Sequence, residues 1–555
     1  MAATTENSGK ELYGLDSESK QMVIDMIGQL KKRLLVREKI LEWDKNEVFP
    51  EDTLRKLLGP DIGLQLLMIP ETYGGMGGGA RDSCDITREM SKICLGITTA
   101  FFALQLGADP LIVGGTEAQK AKWLGAIAER EALVAYAVTE PDAGSNVAAI
   151  KTKADPVKNE AGDITGYRIN GNKQFISSGA AADFITLLAK TPEGPTFFVI
   201  EKGTEGFTPG RSEEKHGIRA SQTSALTFTD VLVPVENLIG GVPGKGLKQA
   251  NQVFGYTRLM VASMGLGAGE AALNIVIPYA RERIVSGSPL SEKQGYTHKL
   301  VVPHAVRLEA ASAYIYEVAE RLDSGEKDLQ VEGSIAKFFA TETADKCASD
   351  AIQALGGYGY ISEFEVEKIK RDVKITCIYE GTSEVQQNII STFRWKNTIK
   401  SKGEFYGSIS AEMEKLHAAA GDIGCLSYGL AAKILNDTIM LVHSNKLTRK
   451  QYVMFALADM MTHVEVGASM ARKAAAAAQA GDDAAEKLNT MSRIFANEVA
   501  QLVAQNVIKI IMGIGIFDKS AVTEFLDNTS YYELMNSYRD VINDMDTVAD
   551  ILFER

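Results

Sequence analysis

The spacing of apolar residues changes twice along this chain of 555 residues, and no other feature constrains the fold as strongly. Residues 17–130 carry apolar side chains at helical spacing, as in Val23, Met26, Ile27, Leu30 and Leu34. Residues 133–246 alternate with period two, or form short apolar runs between turns such as Asn170-Gly171. Helical spacing returns after residue 246. The chain is therefore predicted to fold as helices, then strands, then helices.

These changes predict a mainly α protein with one middle β domain and four domains in all. The predicted boundaries are residues 1–132 for an N-terminal helical domain, 133–246 for the β domain, 247–400 for a second helical domain and 401–555 for a C-terminal helical extension. A chain of this length has room for such a set, with ample core. No internal repeat is predicted.

Composition narrows the function mainly by exclusion. A formal net charge of -13 argues against a nucleic-acid-binding protein, because neutralising phosphates requires surplus Lys and Arg. The five cysteines and six histidines form no metal-binding pattern, so no metal site is expected. Residues 1–7 lack a signal or transit pattern, and no apolar run approaches the ~20 residues of a membrane span. We therefore expect a cytoplasmic protein without a membrane span.

The segment Ile378-Tyr379-Glu380-Gly381-Thr382 contains the strongest candidate for catalysis. A base that removes a proton beside a carbonyl group needs a carboxylate in a dry pocket and a backbone donor for the developing oxyanion. Glu380 supplies the carboxylate, and Gly381 has no side chain to block a ligand. A glycine-rich turn at residues 356–359 precedes the segment and is equally typical of a helix C-cap. The alternative for Glu380 is an ordinary ion pair with Arg371 or Lys374.

The segment resembles the acyl-CoA dehydrogenase family, in which Tyr-Glu-Gly-Thr-Ser carries the catalytic glutamate and a flavin-binding threonine. Two upstream blocks in the family order strengthen the resemblance: Ala135-Tyr136-Ala137-Val138-Thr139-Glu140-Pro141-Asp142-Ala143-Gly144-Ser145-Asn146 and Asn170-Gly171-Asn172-Lys173-Gln174-Phe175-Ile176-Ser177-Ser178. It runs from about residue 17 to about residue 395. It implies the family's architecture, mainly α with a middle β-barrel domain between two helical domains, and the extension resembles that of long-form members.

The resemblance also implies FAD as the cofactor. By matching position, it assigns contacts with FAD to Tyr136, Val138, Thr139, Gly144, Ser145, Phe175, Ser177, Arg283, Gln294, Gln353, Gly357 and Thr382. It assigns contacts with the substrate to Ser145, Arg258, Tyr379 and Gly381. Arg283 is expected to reach the FAD pyrophosphate of a neighbouring subunit, and an ordinary surface arginine is the alternative.

The activity that the resemblance implies is FAD-dependent α,β-dehydrogenation of an acyl-CoA thioester to the trans-2-enoyl-CoA, within fatty acid metabolism. Glu380 would remove the α-proton, and electrons would pass to an electron-transferring flavoprotein. Some members place the glutamate where this chain has Thr257, so Glu380 is the candidate of the two. Phe101 and Phe102 match the helix that borders the acyl tail, which favours a short, branched or cyclic chain, although chain length stays open.

Two other functions stay open from the sequence. One is an acyl-CoA oxidase, in which oxygen takes the electrons. The other is an alkylation-response-like relative that binds nucleic acid, which requires a basic extension, whereas residues 401–555 are acidic on balance. The apolar spacing of the extension predicts that it packs on the core, filling the surface by which shorter relatives pair dimers into tetramers. We therefore expect a homodimer, with a homotetramer as the alternative.

Overall fold

The computed structural model describes residues 3–6 and 10–555, which form two compact units. Unit 1 comprises the chain up to residue 260 together with residues 319–329 and 371–375. Unit 2 comprises residues 261–318, 330–370 and 376–555. Of the N-terminal residues that support the cytoplasmic prediction, residues 1, 2 and 7 lie outside the described ones. The four predicted domain boundaries stay predictions.

Unit 1 opens with a hairpin and continues as helices. These elements are β1 (Ala3–Glu6), β2 (Lys10–Tyr13), α1 (Ser17–Arg33), α2 (Arg37–Lys45), α3 (Glu51–Leu58), α4 (Ala80–Ile93), α5 (Leu95–Gly114) and α6 (Glu117–Arg130). Helix starts follow their caps: Asp16 accepts a hydrogen bond from the Ser19 N–H at 2.7 Å before α1. Helix α5 is apolar on nearly all sides because it is buried almost throughout.

A curled sheet of seven strands forms the middle of unit 1. The strands are β3 (Val134–Ala137), β4 (Lys153–Lys158), β5 (Ile164–Ser177), β6 (Phe184–Thr191), β7 (Gly194–Glu201), β8 (Phe207–Ser212) and β9 (Thr223–Pro234). Hydrogen-bonded neighbours follow the order β3-β6-β4-β5-β9-β8, and β7 pairs with β6. Tyr167 and Ile169 on β5, like Val231 and Val233 on β9, enter one buried core, which explains the period of two.

Helix α7 (Gly246–Glu282) begins in unit 1 and ends in unit 2. The remaining elements are β10 (Ile284–Val285), β11 (Ser288–Pro289), α8 (Gln294–Leu300), α9 (Val302–Asp323), α10 (Gln330–Leu355), α11 (Val366–Val373), α12 (Ser383–Lys400), α13 (Glu404–Ala420), α14 (Cys425–Ser444), α15 (Gln451–Ala480), α16 (Ala485–Gly513), α17 (Lys519–Asn528), α18 (Tyr531–Asn536) and α19 (Val541–Phe553). The predicted fold class, mainly α with a middle β domain and additional C-terminal helices, is confirmed.

Within unit 2, the extension packs on helices α10 and α12. Arg394 of α12 donates hydrogen bonds to Glu465 of α15 at 2.7 and 2.8 Å, and to Glu332 at 2.9 Å. Only 5% of the Arg394 side chain is exposed, so this ion pair is buried. Phe339 of α10 and Phe495 of α16 meet with ring centroids 5.6 Å apart. The apolar face of the extension is therefore covered by the preceding helices.

Three helices are long and apolar enough to cross a membrane by length and composition, namely Leu95–Gly114, Gly246–Glu282 and Cys425–Ser444. The prediction that no apolar run approaches this length is therefore wrong. Most of each apolar window, 83%, 78% and 61% in turn, is buried within the protein. Packing in the protein core accounts for their composition.

Candidate functional site

The predicted catalytic loop lies in unit 2, immediately before α12. Glu380 is partly buried and has a φ of 55°, and Gly381 has a φ of 93°. Two successive residues are therefore in the left-handed region, which a side chain other than glycine's enters at a cost. Thr382 is the N-cap of α12 and accepts a hydrogen bond from the Val385 N–H. The loop holds the Glu380 carboxylate on a short, strained connection that ends at a helix N-terminus.

Three polar side chains that the sequence analysis missed support this loop. Lys337 donates to the Gly381 carbonyl oxygen at 2.7 Å, and Gln386 donates to the Glu380 carbonyl oxygen at 3.0 Å. The Ser383 hydroxyl donates to the Glu342 carboxylate. Both Lys337 and Glu342 lie on α10, and Lys337 is fully buried. A lysine within a stretch of small and apolar helix residues is the signal that could have found it.

The other predicted substrate contact in this loop is held by a sulfur atom. The Tyr379 hydroxyl donates to Met264 Sδ at 3.0 Å, and both residues lie in unit 2. Methionine accepts only weak hydrogen bonds, so this contact orients the ring mainly by packing. The structure therefore brings the predicted residues Tyr379, Glu380, Gly381 and Thr382 together on one continuous loop.

Four more predicted FAD contacts lie elsewhere in unit 2. Gln353 and Gly357 are exposed at the end of α10, where the ring of Tyr358 meets that of Tyr279. Arg283 is exposed directly after α7 and before the hairpin of β10 and β11. Gln294 donates to both oxygens of Asp546 in α19 at 3.1 Å. Gln294 thus has a partner in the extension that the sequence analysis did not predict.

In unit 1, the predicted flavin contacts begin at the end of β3. Tyr136 packs with its ring centroid 5.7 Å from that of Phe197. Val138 is buried, and the Thr139 carbonyl oxygen accepts a hydrogen bond from the Gln174 N–H at 2.9 Å. Gly144 and Ser145 follow on an exposed loop. This stretch is therefore attached to β5, which carries the second predicted block.

Phe175 is the most unusual residue of that second block. Its ring is 65% exposed, and its φ is 58°. The pairing of β5 with β9 is irregular between Lys173 and Ile176, so a bulge turns Phe175 outwards. Ser177 follows, partly buried and paired with Thr223 of β9. An exposed aromatic ring on a strained bulge is typical of a ligand-binding surface.

Within unit 1, a buried ion pair joins the two segments predicted to contact the flavin, residues 135–146 and 170–178. Lys173 donates to the Val138 carbonyl oxygen at 2.9 Å and to the Glu140 carboxylate at 2.8 Å. Burial lowers the pKa of the Lys173 ammonium to about 8. Glu140 also accepts hydrogen bonds from the N–H groups of Lys151 and Thr152. These contacts hold the segment that contains Val138 and Thr139 against strand β5, which carries Phe175.

The predicted substrate contact Arg258 and the two rings of α5 also belong to unit 1. Arg258 is buried on α7, beside the buried Thr257. Phe101 and Phe102 are buried, with an edge-to-face contact of 5.2 Å between ring centroids. The hydroxyl of Tyr256 donates to Ser83 Oγ at 2.8 Å and accepts from Gln105 of α5. The helix that carries the two rings is therefore fixed to α7 in unit 1.

Models of three acyl-CoA dehydrogenase domains match the chain in the order that the architecture shows. The N-terminal domain matches residues 17–131, the middle domain residues 135–231, and the C-terminal domain residues 244–393 and 409–538. The chain belongs to the acyl-CoA dehydrogenase family. The predicted family and the predicted class of enzyme, an oxidoreductase acting on acyl-CoA, are confirmed.

Relatives of the family divide by whether they cover the extension. The short-chain-specific acyl-CoA dehydrogenase of Megasphaera elsdenii is 38% identical over 62% of this chain and 90% of its own. A chain in the structure of the electron transferring flavoprotein of Acidaminococcus fermentans is 33% identical over 68% of this chain and 98% of its own, with a TM-score of 0.63. The acyl-CoA dehydrogenase of Bacillus anthracis, solved in complex with FAD, is 25% identical over 97% and 95%, with a TM-score of 0.84.

The double match of the C-terminal domain overturns the prediction of no internal repeat. Residues 244–393 and 409–538, here called the first copy and the second copy, match one and the same domain model. Equivalent residues recur at one constant spacing, in the pairs Arg307 and His463, Gly325 and Gly481, Lys337 and Arg493, Phe339 and Phe495, Glu342 and Glu498, Gly357 and Gly513, and Gly359 and Gly515. The equivalent rings of Phe339 and Phe495 touch, as expected beside an axis of approximate two-fold symmetry.

The residues present fit FAD, the cofactor of this family. Phe175 presents an exposed ring for a flat aromatic group. A Cβ atom added at Gly144 or at Gly357 would meet no atom within 4 Å, so a ligand can approach the backbone at both positions. Arg283 offers an exposed guanidinium, and Thr382 lies at the N-terminus of an 18-residue helix, both of which suit a pyrophosphate. The prediction of FAD is confirmed by the family and its FAD-bound member.

Proposed function

We propose that the chain dehydrogenates a short, branched or cyclic acyl-CoA thioester, with Glu380 as the base and an electron-transferring flavoprotein as the acceptor. The observation that carries the proposal is the loop at residues 379–382, where Glu380 stands with a positive φ directly before helix α12. Strain of this kind persists where the surrounding structure enforces it and is concentrated at active sites. Membership of the acyl-CoA dehydrogenase family supports the same reaction.

Each step of the reaction has a group to perform it. Glu380 takes the α-proton of the thioester, and a double bond forms between the α and β carbons. FAD, when bound, accepts the β-hydrogen as a hydride, which no side chain can do. The α-proton is a weak acid, so the thioester carbonyl needs an N–H donor, for which the family resemblance proposes the Glu380 amide. One such donor contributes about 3 to 4 kcal/mol.

Two buried rings support the proposed class of acyl chain. Phe101 and Phe102 match the family helix that borders the acyl tail, and both are fixed by an edge-to-face contact. The hydrogen bond from Gln105 to Tyr256 anchors the same helix at 3.1 Å. A long straight chain needs space that two fixed rings occupy. The relative from Megasphaera elsdenii, which is named as short-chain specific, supports this proposal.

The proposed acceptor has support from one neighbour. A chain similar to this one occurs in the structure of the electron transferring flavoprotein of Acidaminococcus fermentans.

We further propose that the protein is a cytoplasmic homodimer and that Arg283 reaches the cofactor of the other subunit. The role of Arg283 is supported by its exposed guanidinium, which lies directly before a short hairpin. Arg283→Ala should then weaken FAD binding by about 10-fold or more, the value of a hydrogen bond to a charged group. Dialysis followed by measurement of bound FAD tests this.

The test of the whole proposal uses the purified FAD-bound protein under argon. A panel of straight, branched and cyclic acyl-CoA thioesters is added, and bleaching of the flavin absorbance is followed. Short, branched or cyclic thioesters should bleach it fastest. Reoxidation is then compared with electron-transferring flavoprotein and with oxygen. No bleaching with any thioester would overturn the proposed reaction, and fast reoxidation by oxygen alone would establish an oxidase.

A further inference from the structure

The backbone of the catalytic loop is held from behind by two buried side chains. Lys337 Nζ lies 2.7 Å from the Gly381 carbonyl oxygen. Gln386 Nε2 lies 2.9 Å from the same oxygen and 3.0 Å from the Glu380 carbonyl oxygen. Both side chains are 0% exposed. Two carbonyl groups of the loop thus converge on two buried donors.

These contacts are costly, which argues that they are maintained for a purpose. A buried lysine gives up its hydration, which contacts within the protein must replace. The other amide atom of Gln386, Oε1, is buried without a hydrogen-bond partner in the part of the chain that the structure describes. An unsatisfied buried oxygen costs about 1 to 3 kcal/mol. The protein tolerates both costs at the one loop that carries Glu380.

The geometry of the peptide bond shows what the two donors control. In a trans peptide, the N–H lies on the edge opposite to the C=O. Fixing the carbonyls of Glu380 and Gly381 therefore directs the N–H groups of Gly381 and Thr382 away from Lys337 and Gln386. It also fixes the positive φ of Gly381, which lies between the two held peptide groups, and thereby the position of the Glu380 Cα at the edge of the first of them. The positive charge of Lys337 further polarises the peptide group between Gly381 and Thr382.

We propose that Lys337 and Gln386 are positioning residues for the dehydrogenation: they hold the loop in the conformation that aims the Glu380 carboxylate at the α-proton. This inference rests on the proposed function of Glu380 as the base. Neither residue touches the substrate, and both act through the backbone. Loss of Gln386 removes a bond from the peptide groups on both sides of Gly381, and loss of Lys337 removes one of the two bonds to the Gly381 carbonyl. A base displaced by about 1 Å loses about 10²-fold in rate.

The chain supplies its own control for Lys337. Arg493 occupies the equivalent position in the second copy, where it donates to Asp544 at 2.5 Å and touches no catalytic loop. Arg493→Met removes a cation from the same place in the same kind of helix. Arg493 is more exposed, at 28% of its side chain against 0% for Lys337, so Arg493→Met reports the cost of losing a cation at this place, whereas a loss of positioning belongs to Lys337 alone.

The experiment compares Lys337→Met, Gln386→Met and Arg493→Met in the FAD-bound protein. Three quantities are measured: thermal stability, the rate of anaerobic flavin reduction with its KM, and exchange of the substrate α-proton with deuterium followed by NMR. Exchange reports on the base without requiring hydride transfer. Lys337→Met and Gln386→Met should slow both exchange and reduction by about 10²-fold with KM near the parent value, and Arg493→Met should leave both rates unchanged.

Two results would overturn the inference. One is parent rates of exchange in both Lys337→Met and Gln386→Met. The other is an equal fall in all three variants, which would mark the effect as loss of stability. If Lys337→Met fails to fold, Gln386→Met, which retains the buried charge of Lys337, decides. Glu380→Gln is measured in parallel: parent rates there would contradict the proposed base itself, whereas a dead Glu380→Gln beside an active Lys337→Met contradicts only the positioning role.

Discussion

The first and second copies of the C-terminal domain share their helices and differ in the loop that follows. In both copies two long helices lead into a glycine turn, at Gly357 in the first and Gly513 in the second. The first copy then reaches Glu380 on a left-handed loop before Thr382-Ser383. In the second copy, the residue at the same spacing from Glu380 is Asn536, the last residue of helix α18, so an amide stands in place of the carboxylate.

The two copies share a frame of packed helices, and they differ in the residues proposed for catalysis. The helices of the second copy retain the frame, including Phe495 and Glu498, which are identical to their equivalents in the first copy. At the places of Glu380 and Lys337 it has Asn536 and the partly exposed Arg493, and its nearest carboxylate with a positive φ, Asp540 before α19, lies just past residue 538. Arg493, the equivalent of Lys337, instead pairs with Asp544. We therefore infer that the capacity for catalysis depends on a few loop residues and their buried donors, while the helices serve packing.

The largest expected effect tests whether the second copy is needed as a frame. Removal of residues 401–555 should yield insoluble or aggregated protein, because it uncovers Phe339 and leaves the buried Arg394 without Glu465. Soluble yield and light scattering measure this. A truncated protein that stays soluble and fully active would show that the second copy is an independent module.

The next effect compares Glu380 with Asp527, an exposed carboxylate on helix α17 of the second copy. Glu380→Gln should retain bound FAD and lose about 10³-fold in the rate of flavin reduction, because Gln keeps the shape and lacks the basic lone pair. Asp527→Asn, its control in the second copy, should leave the rate unchanged. Rapid-mixing absorbance under argon compares the two. Reduction of Glu380→Gln at near the parent rate contradicts the assignment of the base.

A smaller effect tests the buried ion pair that joins the copies. Arg394→Met should lower the free energy of unfolding by about 3 to 5 kcal/mol, because it leaves two carboxylates buried without their cation. The control is Arg472→Met, which breaks partly exposed pairs with Glu317 and Glu412 and should cost about 1 kcal/mol or less for each pair. Denaturant unfolding of both variants gives the comparison. Equal losses would show that burial does not distinguish the pairs.

The smallest expected effect concerns a cavity of about 470 Å³ between the copies. Two pairs of equivalent residues line it, Glu342 and Glu498, and Arg307 and His463. Burial lowers the pKa of His463 below its ordinary value of 6.5, against the opposing effect of Glu498. The folded state then binds fewer protons than the unfolded state, so the stability from this group is complete above pH 6.5 and is lost as the pH falls below it.

His463→Gln should therefore flatten the fall in melting temperature between about pH 7 and 5. Burial raises the pKa of the neighbouring Asp459 above its ordinary value of 3.8. The stability that Asp459 contributes is therefore lost in the opposite direction, as the pH rises above 3.8. Melting curves across this range separate the two. An unchanged slope in the variant would assign the pH dependence to other groups.

The sequence predicted the fold class and placed the four loop residues from Tyr379 to Thr382 on one segment. These features depend on local pattern, namely the apolar period and a contiguous motif. The side chains that support the loop do not follow from local pattern. Lys337 lies 44 residues from Gly381 in sequence and meets it only through the tertiary fold. The bond from Gln294 to Asp546 was missed for the same reason.

Two errors have other physical causes. The internal repeat escaped because packing preserves size and polarity rather than identity, as when Lys337 becomes Arg493 and Tyr360 becomes Ile516. The apolar helices escaped because small and polar residues such as Thr98, Thr99 and Gln105 interrupt the run in α5 without exposing it. Both depend on burial, which the sequence alone does not display.

The contact between Phe339 and Phe495 has a consequence for how this protein can diverge. Where two identical subunits meet across a two-fold axis, every substitution arises twice and must be compatible with itself. Here the two sides are encoded separately in one gene, so Arg307 could be retained while its equivalent became His463. Because the sides are covalently joined, dilution does not separate them. One half is thereby free to specialise as a permanent partner for the half that carries the proposed base.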